Sequence, residues 1–577
     1  MKLKFTDELI IFLFALMLLV STQFFFDDLA FDYAGYALRY NTSFESWLPE
    51  QHMGFPIGVY DLPLPGVIPL IIKIIGIGSF TLPLAISILL IRIIIPFCFA
   101  FLGKIFGFNK KLSFLAGIFL VFNPILFKFF NRFYELTSWL FFIMAFACFY
   151  KFLTKEKFSK KYFGLSVLFV CLTALSHASA LVFIAFSFIF LIETKKEIKK
   201  LFTIGLLSAG ITSFWLIPFI FFLDLSIVKS QKGMLLVSQG ILASGIFLSV
   251  ALITVFFLFK KIKNKYPKIN RLLTGSFILS VIILLFPLLP VIEKPFAHSY
   301  HVFFVFVLLI ALLSLIKENM IKKNHLSITG IILLIIIILT FPIIERQYFF
   351  DEPRLKDYKI DEINLLAEKI PENSRFELLP YNPVIHSFIA LNQKKLSLNG
   401  WGYNAYTLKE SNKIGTEMIS MELNCKEFIT DINNTATNYW IVLDEEGESY
   451  LKECGLKRIT KKTDFPKLYY FEKTASLVEN GNLIEFSNEK IVIESFGGIV
   501  LLKQSFFPKW NAYQNGKKLE LIDKKPGIEI LNTEQGLIEL RYEKTIVEWT
   551  GIIISLISII VLLFLLKTTW LESSTTF

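Results

Sequence analysis

The sequence predicts a polytopic α-helical membrane protein of about twelve spanning helices, with an α/β plus β-sandwich region set before the last helix. Three observations predict it. Hydrophobic residues make up 54% of the 577-residue chain and mean hydropathy is +0.59, more apolar surface than one water-soluble core can hide. Apolar runs long enough to cross a bilayer recur, as in Ile10 to Phe26, Ile328 to Ile344 and Ile552 to Leu566. Lysines and arginines fall on one side of the connecting loops when those runs are made to cross in turn.

In chain order, Ile10 to Phe26 reads as a retained first helix, because it is long and no small-residue cleavage site precedes Asp27 and Asp28. Further spans fall near Phe80 to Leu102, Leu112 to Phe127, Leu136 to Leu153, Tyr162 to Ser176 and Ala178 to Ile192. Then come Leu201 to Phe222, Leu235 to Phe259, Leu272 to Val291 and Val302 to Ile316, ahead of the Ile328 and Ile552 runs. Lys2 and Lys4, Lys104 to Lys111, Lys155 to Lys161, Lys195 to Lys200, Lys260 to Arg271, Lys317 to Lys323 and Lys567 share one side, which is therefore cytoplasmic, as are both termini. The opposite side receives Asp27 to Asp61, the turn Asn131 to Glu135, Asp224 to Lys232, Glu293 to Tyr300 and everything from Glu345 to Glu548. Leu64 to Ile77 is short and carries Lys73. Counting it as a crossing would invert the loops that follow, so it is read as a helix lying at the outer membrane face. The net charge of +11 then reflects anchoring near anionic lipid headgroups and calls for no nucleic-acid partner.

These boundaries give a transmembrane module over 1–344 with a first external loop at 27–79, an external α/β domain at 345–474, a β-sandwich domain at 475–548, and a final helix with a cytoplasmic tail at 549–577. Lys356 to Ile370 has helical spacing and stops at Pro371, while Phe376 to Leu379 and Asn438 to Leu443 alternate as strands do. Beyond residue 474 the pattern is all-β, with short strands at Ile491 to Ile493, Ile499 to Leu502, Ile528 to Ile530 and Leu537 to Arg541, and a hairpin turn at Gln514-Asn515-Gly516-Lys517. Trp510 and Tyr513 are expected in the sandwich core. Cys98, Cys148 and Cys171 lie within spans, and Cys425 and Cys454 form either an external disulfide or two buried thiols. Asn41-Thr42-Ser43 and Asn433-Asn434-Thr435 match a glycosylation pattern that is too common to establish modification.

Chemistry is expected where acids meet the membrane. Phe26-Asp27-Asp28-Leu29-Ala30-Phe31-Asp32 places two adjacent carboxylates at the end of the first span, followed by aromatic residues and Arg39. Such a pair is either a solvated helix flank or a functional group held at the lipid boundary. This acidic pair, with Trp47-Leu48-Pro49, Gly54-Phe55-Pro56, Tyr60 and Pro63-Leu64-Pro65 after it, resembles the first external loop of GT-C glycosyltransferases, which use polyprenyl-phosphate-linked sugars.

A second resemblance lies at Ser505-Phe506-Phe507-Pro508-Lys509-Trp510-Asn511-Ala512-Tyr513-Gln514-Asn515-Gly516-Lys517. It is similar to a strand and turn of YfhO-like membrane proteins and of archaeal membrane proteins catalogued as 6-pyruvoyl-tetrahydropterin synthase-related, a label that carries no pterin chemistry. In those proteins the segment belongs to a β-sandwich followed by one last span. Lys509 stands where glycine is usual in that pattern.

The resemblance implies inverting transfer of one sugar from a polyprenyl-phosphate donor to a glycan, lipid or protein acceptor at the external face. Asp28 is the first choice for the general base and Asp27 the second, with Asp32 a candidate holder of acceptor or cation. The leaving phosphate calls for cations, and Arg39, Lys73, Arg132, His177, His298 and His301 fall near the external interface. Arg132 is alternatively an ion pair with Glu135, and His177 a cap between two spans. His298 and His301, spaced i, i+3 near Glu293, suit interfacial hydrogen bonding or a divalent cation, so metal dependence stays open. The rival readings are a transporter or flippase of a lipid-linked saccharide and a non-catalytic scaffold that binds envelope glycans. A transporter is expected to show paired broken helices and charges at mid-membrane depth, and the sequence offers few of the latter.

Overall fold

The computed structural model describes residues 82–122, 133–155, 159–228, 252–285, 299–319 and 359–567, with short gaps in the fourth and last ranges, and the isolated positions Leu64, Val67 and Ile71. The membrane module is built from α1 (Leu82–Phe106), α2 (Lys110–Phe122), α3 (Phe133–Thr154), α4 (Lys160–Ser176), α5 (Ala178–Leu191), α6 (Lys195–Ile211), α7 (Ser213–Phe221), α8 (Pro267–Leu285) and α9 (Ser299–Lys317). Among the described residues, 86–106, 135–154 and the C-terminal helix 546–567 are each long and apolar enough to cross a membrane, and α6 with α7 passes as a bent pair. The spans expected at Ile10 and Ile328 lie outside the described residues, as does most of the one at Leu235.

The helix ends explain why the basic loops gather. A spanning helix leaves its last carbonyls unpaired, and here lysines of neighbouring helices donate to them. Lys317 Nζ donates to Phe106 O at the end of α1 (3.2 Å), Lys200 Nζ to Phe152 O near the end of α3 (3.3 Å), and Lys268 Nζ to Leu191 O at the end of α5 (3.0 Å). Arg271 donates to Ile192 O just beyond α5 (2.6 Å), and Lys160 Nζ to Lys567 O (3.3 Å). These bonds bring 106, 152, 160, 191, 200, 268, 317 and 567 to one end of the bundle, the basic end.

The other end carries two sheets. A five-stranded mixed sheet runs in the order β3-β2-β5-β7-β6, where β2 is Arg375–Leu379, β3 Leu396–Ser397, β5 Thr437–Val442, β6 Lys457–Arg458 and β7 Lys467–Tyr470. β2 pairs in parallel with both β3 and β5. Helices α10 (Ile360–Ala367), α11 (Cys425–Thr435) and α12 (Glu445–Glu453) accompany it. Asn424 starts α11 by accepting from the Lys426 and Glu427 amides while Glu427 reaches back, a capping box. Cys425 and Cys454 are disulfide-bonded and the three cysteines within the bundle helices are free and buried, which resolves the alternative left by the sequence. Asn433 sits in the last turn of α11 with the Thr435 hydroxyl donating to Asp431 O (2.6 Å), so this glycosylation pattern is folded into a helix end.

The C-terminal sheet departs from the expected row of short strands. Ile491 to Ile493 and Ile499 to Leu502 belong to one strand, β10 (Lys490–Leu502), and both later segments belong to β14 (Gly527–Tyr542). Gly497 and Gly498 adopt φ of +96° and +90°, so β10 bends through a bulge where the sequence pattern suggested a stop. Residues from both halves of each long strand share one core with Phe507, Trp510 and Ala512, so the sheet folds over itself. The hairpin is as expected, with Asn515 and Gly516 both at positive φ. Tyr513 is not a core residue. It lies three positions from Trp510 in β11 (Trp510–Gln514), hence on the opposite face of a strand whose period is two, and donates to Glu543 (3.0 Å).

Bundle and sheet interlock. The last helix, α13 (Ile546–Lys567), lies along α6 and α7, which meet at a 75° bend and correct the single span expected from Leu201 to Phe222. The Thr212 hydroxyl donates to Ser208 O (2.9 Å), that of Ser213 to Ala209 O (2.8 Å), and the Phe214 amide donates to Ser555 Oγ of α13 (2.8 Å). A Cβ on Gly551 would lie 2.5 Å from Ser213 O, so glycine is what lets the two backbones meet. Beyond the bend, Phe222 is buried in the sheet's core, its ring 5.0 Å from Phe507. Lys509, in the glycine position of the resembled pattern, is buried with Nζ 2.7 Å from Glu548 in the first turn of α13 and 4.3 Å over the Tyr542 ring. Burial pulls its ammonium below the usual lysine range, against the pull of Glu548.

Phe222→Ala should therefore destabilise the sheet by about 3–5 kcal/mol although the residue belongs to the membrane module. Thermal melting of the full chain checks this, and an unchanged sheet transition would show that Phe222 is not part of that core. In the five-stranded sheet, burial raises the Glu448 carboxyl, but hydrogen bonds from Lys452, Lys467 and Tyr469 outweigh it and hold it near about 2. A depressed folded value stabilises above the ordinary 4.5 and is lost as pH falls toward 2. Thermal stability should decline over that window and decline less in Glu448→Gln.

Candidate active site

Of the residues singled out in the sequence, Asp27, Asp28, Asp32, Arg39, Lys73, Arg132 and His298 lie outside the described residues. His301 is placed by backbone only, in the first turn of α9. His177 is the junction between α4 and α5, an extended residue (φ −166°) whose amide donates to Thr173 O (3.0 Å). The cap reading of His177 thus holds for its backbone, while its half-buried side chain lies at the end of the bundle that carries the sheets.

One hydrogen bond ties Leu64 to that place. The Leu64 amide, from Pro63-Leu64-Pro65, donates to Leu175 O (3.2 Å), and Val67 N donates to Leu64 O (3.1 Å). Val67 and Ile71 are helical, as expected of the segment that opens at Leu64. Leu64 is therefore seated against the carbonyl two residues before His177.

Ring contacts fix how the other helices are aligned. Helices α3 and α4 are antiparallel neighbours, with Phe152 against Phe163 (5.6 Å) and Phe141 against Phe169 (6.3 Å), which brings residue 135 level with 175–177. Helices α1, α3 and α9 run in parallel, all ending at the basic end. Phe106 stacks on Tyr150 (4.0 Å), and Phe306 meets Phe99 (5.8 Å) and Phe142 (5.0 Å). Stepping back seven residues, about 10 Å along each axis, puts Arg92, Glu135 and Ser299 on one further level. His301 and His177 sit close to it.

Buried polar side chains lie on and about that level among buried apolar ones such as Ile88, Ile95, Leu136 and Trp139. Arg92 is 1% exposed, Glu135 4%, and Ser87, Thr137 and Ser138 are fully buried. Sequence reasoning missed Arg92. Its signal was available, since Leu89-Leu90-Ile91-Arg92-Ile93-Ile94-Ile95 sets one guanidinium inside an apolar span, and such a residue marks a functional site by default. The sequence offers Glu135 as a local partner of Arg132, and the structure buries its side chain. Among the described residues no three His, Cys, Asp or Glu side chains gather as metal ligands.

Comparison with solved structures gives the fold. The Archaeoglobus fulgidus oligosaccharyltransferase in its apo form superposes with a TM-score of 0.52 at 11% identity, over 76% of this chain and 70% of that one. The aligned part of this chain therefore shares the fold of that protein. The same enzyme tethered to an acceptor peptide gives 0.51 at 10% identity over 80% and 74%, and a variant of arabinofuranosyltransferase AftD from Mycobacteria gives 0.50 at 10% identity over 94% and 60%. This chain spans 57% to 60% of the AftD chains it aligns with. No family model and no curated protein sequence matches it, so the likeness to YfhO-like proteins rests on residues 505–517 alone.

The seating of Leu64 is open to direct test. With the native cysteines replaced, a cysteine pair at Leu64 and Leu175 should be joined by a short bifunctional thiol reagent, whereas a pair at Leu64 and Ser159 should not. Joining of the second pair alone would place the loop at the wrong end.

Proposed function

We propose that the protein is a membrane glycosyltransferase that moves a sugar from a polyprenyl-phosphate donor to a glycan, lipid or protein acceptor, with the sheets and the Leu64 segment facing out of the cell. The observation that carries this reading is the seating of the first-loop segment at the His177 junction, within a GT-C-like fold. It sets Leu64 beside the His177 junction, which supports a site at that end of the bundle, where a phosphate at the lipid boundary would meet cations. The basic end, with its lysine-capped carbonyls, is then cytoplasmic, which agrees with charge retention on that side.

The chemistry balances without a covalent enzyme intermediate. An acceptor hydroxyl oxygen attacks the anomeric carbon, its proton passes to the Asp28 carboxylate, and the bond from that carbon to the phosphate oxygen breaks. The lipid phosphate leaves with the electron pair, held by Arg39, Lys73, Arg132, His177, His298 and His301 as candidates, and the anomeric centre inverts. Asp27 and Asp32 are left to orient the acceptor or to hold a divalent cation, and no step is routed through a metal.

The transporter reading gains one point from the structure, the bend between α6 and α7, since broken helices suit that class. The polar groups freed at the bend are taken up by Thr212, Ser213 and Ser555 rather than facing a cavity, which favours a docking role for the break.

Asp28→Asn should reduce sugar transfer by about 10²–10⁴-fold, the worth of a general base, while insertion and lipid binding persist. The assay follows loss of label from radiolabelled polyprenyl-phosphate sugars in membranes containing the protein. Parental rates for Asp28→Asn, Asp27→Asn and Asp32→Asn alike would reduce the acidic loop to a solvated flank and leave the transporter or scaffold reading.

A further inference from the structure

The last helix is covered on one side only. Along its apolar stretch α13 is 11% buried, against 56% and 78% for the stretches in 86–106 and 135–154. The covered side, with Gly551, Ser555 and Ser558, meets α6 and α7. The other side carries Ile546, Trp549, Ile553, Leu556 and Ile560, each more than half exposed, at intervals of three and four that set them in one stripe. From Trp549 to Lys567 the helix runs about 27 Å at 1.5 Å per residue, close to the ~30 Å hydrocarbon thickness of a bilayer. With Lys567 at the basic end, Trp549 falls at headgroup level on the sheet side. Lys544 stands at the head of the stripe. Its Nζ lies 5.5 Å over the Trp549 ring, and it forms no ion pair among the described residues. The two carboxylates nearest to it in sequence are both engaged. Glu548 holds Lys509 Nζ (2.7 Å) and accepts from the Thr545 amide (2.8 Å), and Glu543 accepts from Asn511 (2.9 Å) and Tyr513 (3.0 Å).

We infer that Lys544 and Trp549 seat one anionic phospholipid of the leaflet on the sheet side. Its phosphate lies against Lys544, the indole sits at the glycerol level, and an acyl chain follows Ile553, Leu556 and Ile560. Charge decides the class of lipid. A cation without a carboxylate partner, held over an exposed indole at headgroup depth, selects an anionic headgroup over a zwitterionic one. The stripe itself consists of bulky side chains, with none of the small residues that let a second helix approach closely, so an acyl chain is the fitting occupant. The site lies beside the bundle and is independent of the sugar-transfer reading.

The test uses the full chain in phosphatidylcholine nanodiscs, with the three free cysteines replaced by alanine and a fluorophore attached at Ile553→Cys. A minor fraction of brominated phosphatidylglycerol or brominated phosphatidylcholine is added and quenching is compared. Phosphatidylglycerol should quench as though enriched about fivefold at the label, the effect of one basic residue near the headgroups. Lys544→Gln should bring the two lipids to equal quenching, and Lys544→Arg should restore the preference. Equal quenching in the chain that keeps Lys544, or a preference that survives Lys544→Gln, overturns the site. Absence of quenching by either lipid overturns it too, because the stripe is then covered by protein.

Discussion

A backbone carbonyl or amide left unpaired in hydrocarbon costs several kcal/mol, and both the basic end and the helix break of this bundle are arranged around that cost (~4–8 kcal/mol for transfer into alkane). At the basic end the problem is solved by cations from neighbours. Lys317, Lys200, Lys268 and Arg271 each reach across to the end of another helix, so the basic residues of the loops knit the helices together. At the break between α6 and α7 the solution is hydroxyls from the same helix and from α13, and the close approach it needs is provided by Gly551.

The second arrangement determines where the sheet sits. Because α7 turns away by 75°, its end enters the sheet and delivers Phe222 to a core otherwise made of C-terminal residues. Lys509 and Glu548 fasten the other strand of this connection, at the start of α13. The C-terminal sheet is thus held at two points on the bundle. Candidate site groups come from loops and helix ends, which suits the proposed transfer, in which a lipid-anchored donor would meet an acceptor arriving from water.

Much of this was legible in the sequence, for physical reasons that can be named. Hydropathy located α1 to α6, α8, α9 and α13, since lipid leaves a chain few alternatives to a helix. The Asn515-Gly516 turn was legible because a two-residue hairpin loop demands positive φ. The bend at Thr212 was not, because Leu201 to Phe222 is uniformly apolar and the break is stabilised by Ser555, more than three hundred positions later. The strands β10 and β14 were read as four pieces because glycine signals a stop and a bulge alike. In the candidate site, the seating of Leu64 was anticipated only as an interfacial segment. Arg92 is legible as a lone guanidinium inside an apolar run, but that it is buried in the bundle shows only once the helices are packed.

The central claim is that a lipid phosphate is handled at the sheet end of the bundle. Photocrosslinking with a diazirine-bearing polyprenyl phosphate, followed by peptide mapping, tests it most directly. The account predicts adducts around His177 and in the first turn of α9, displaced by unlabelled undecaprenyl phosphate. Adducts confined to the basic end, or spread along the lipid-facing side of α13 without displacement, would contradict it.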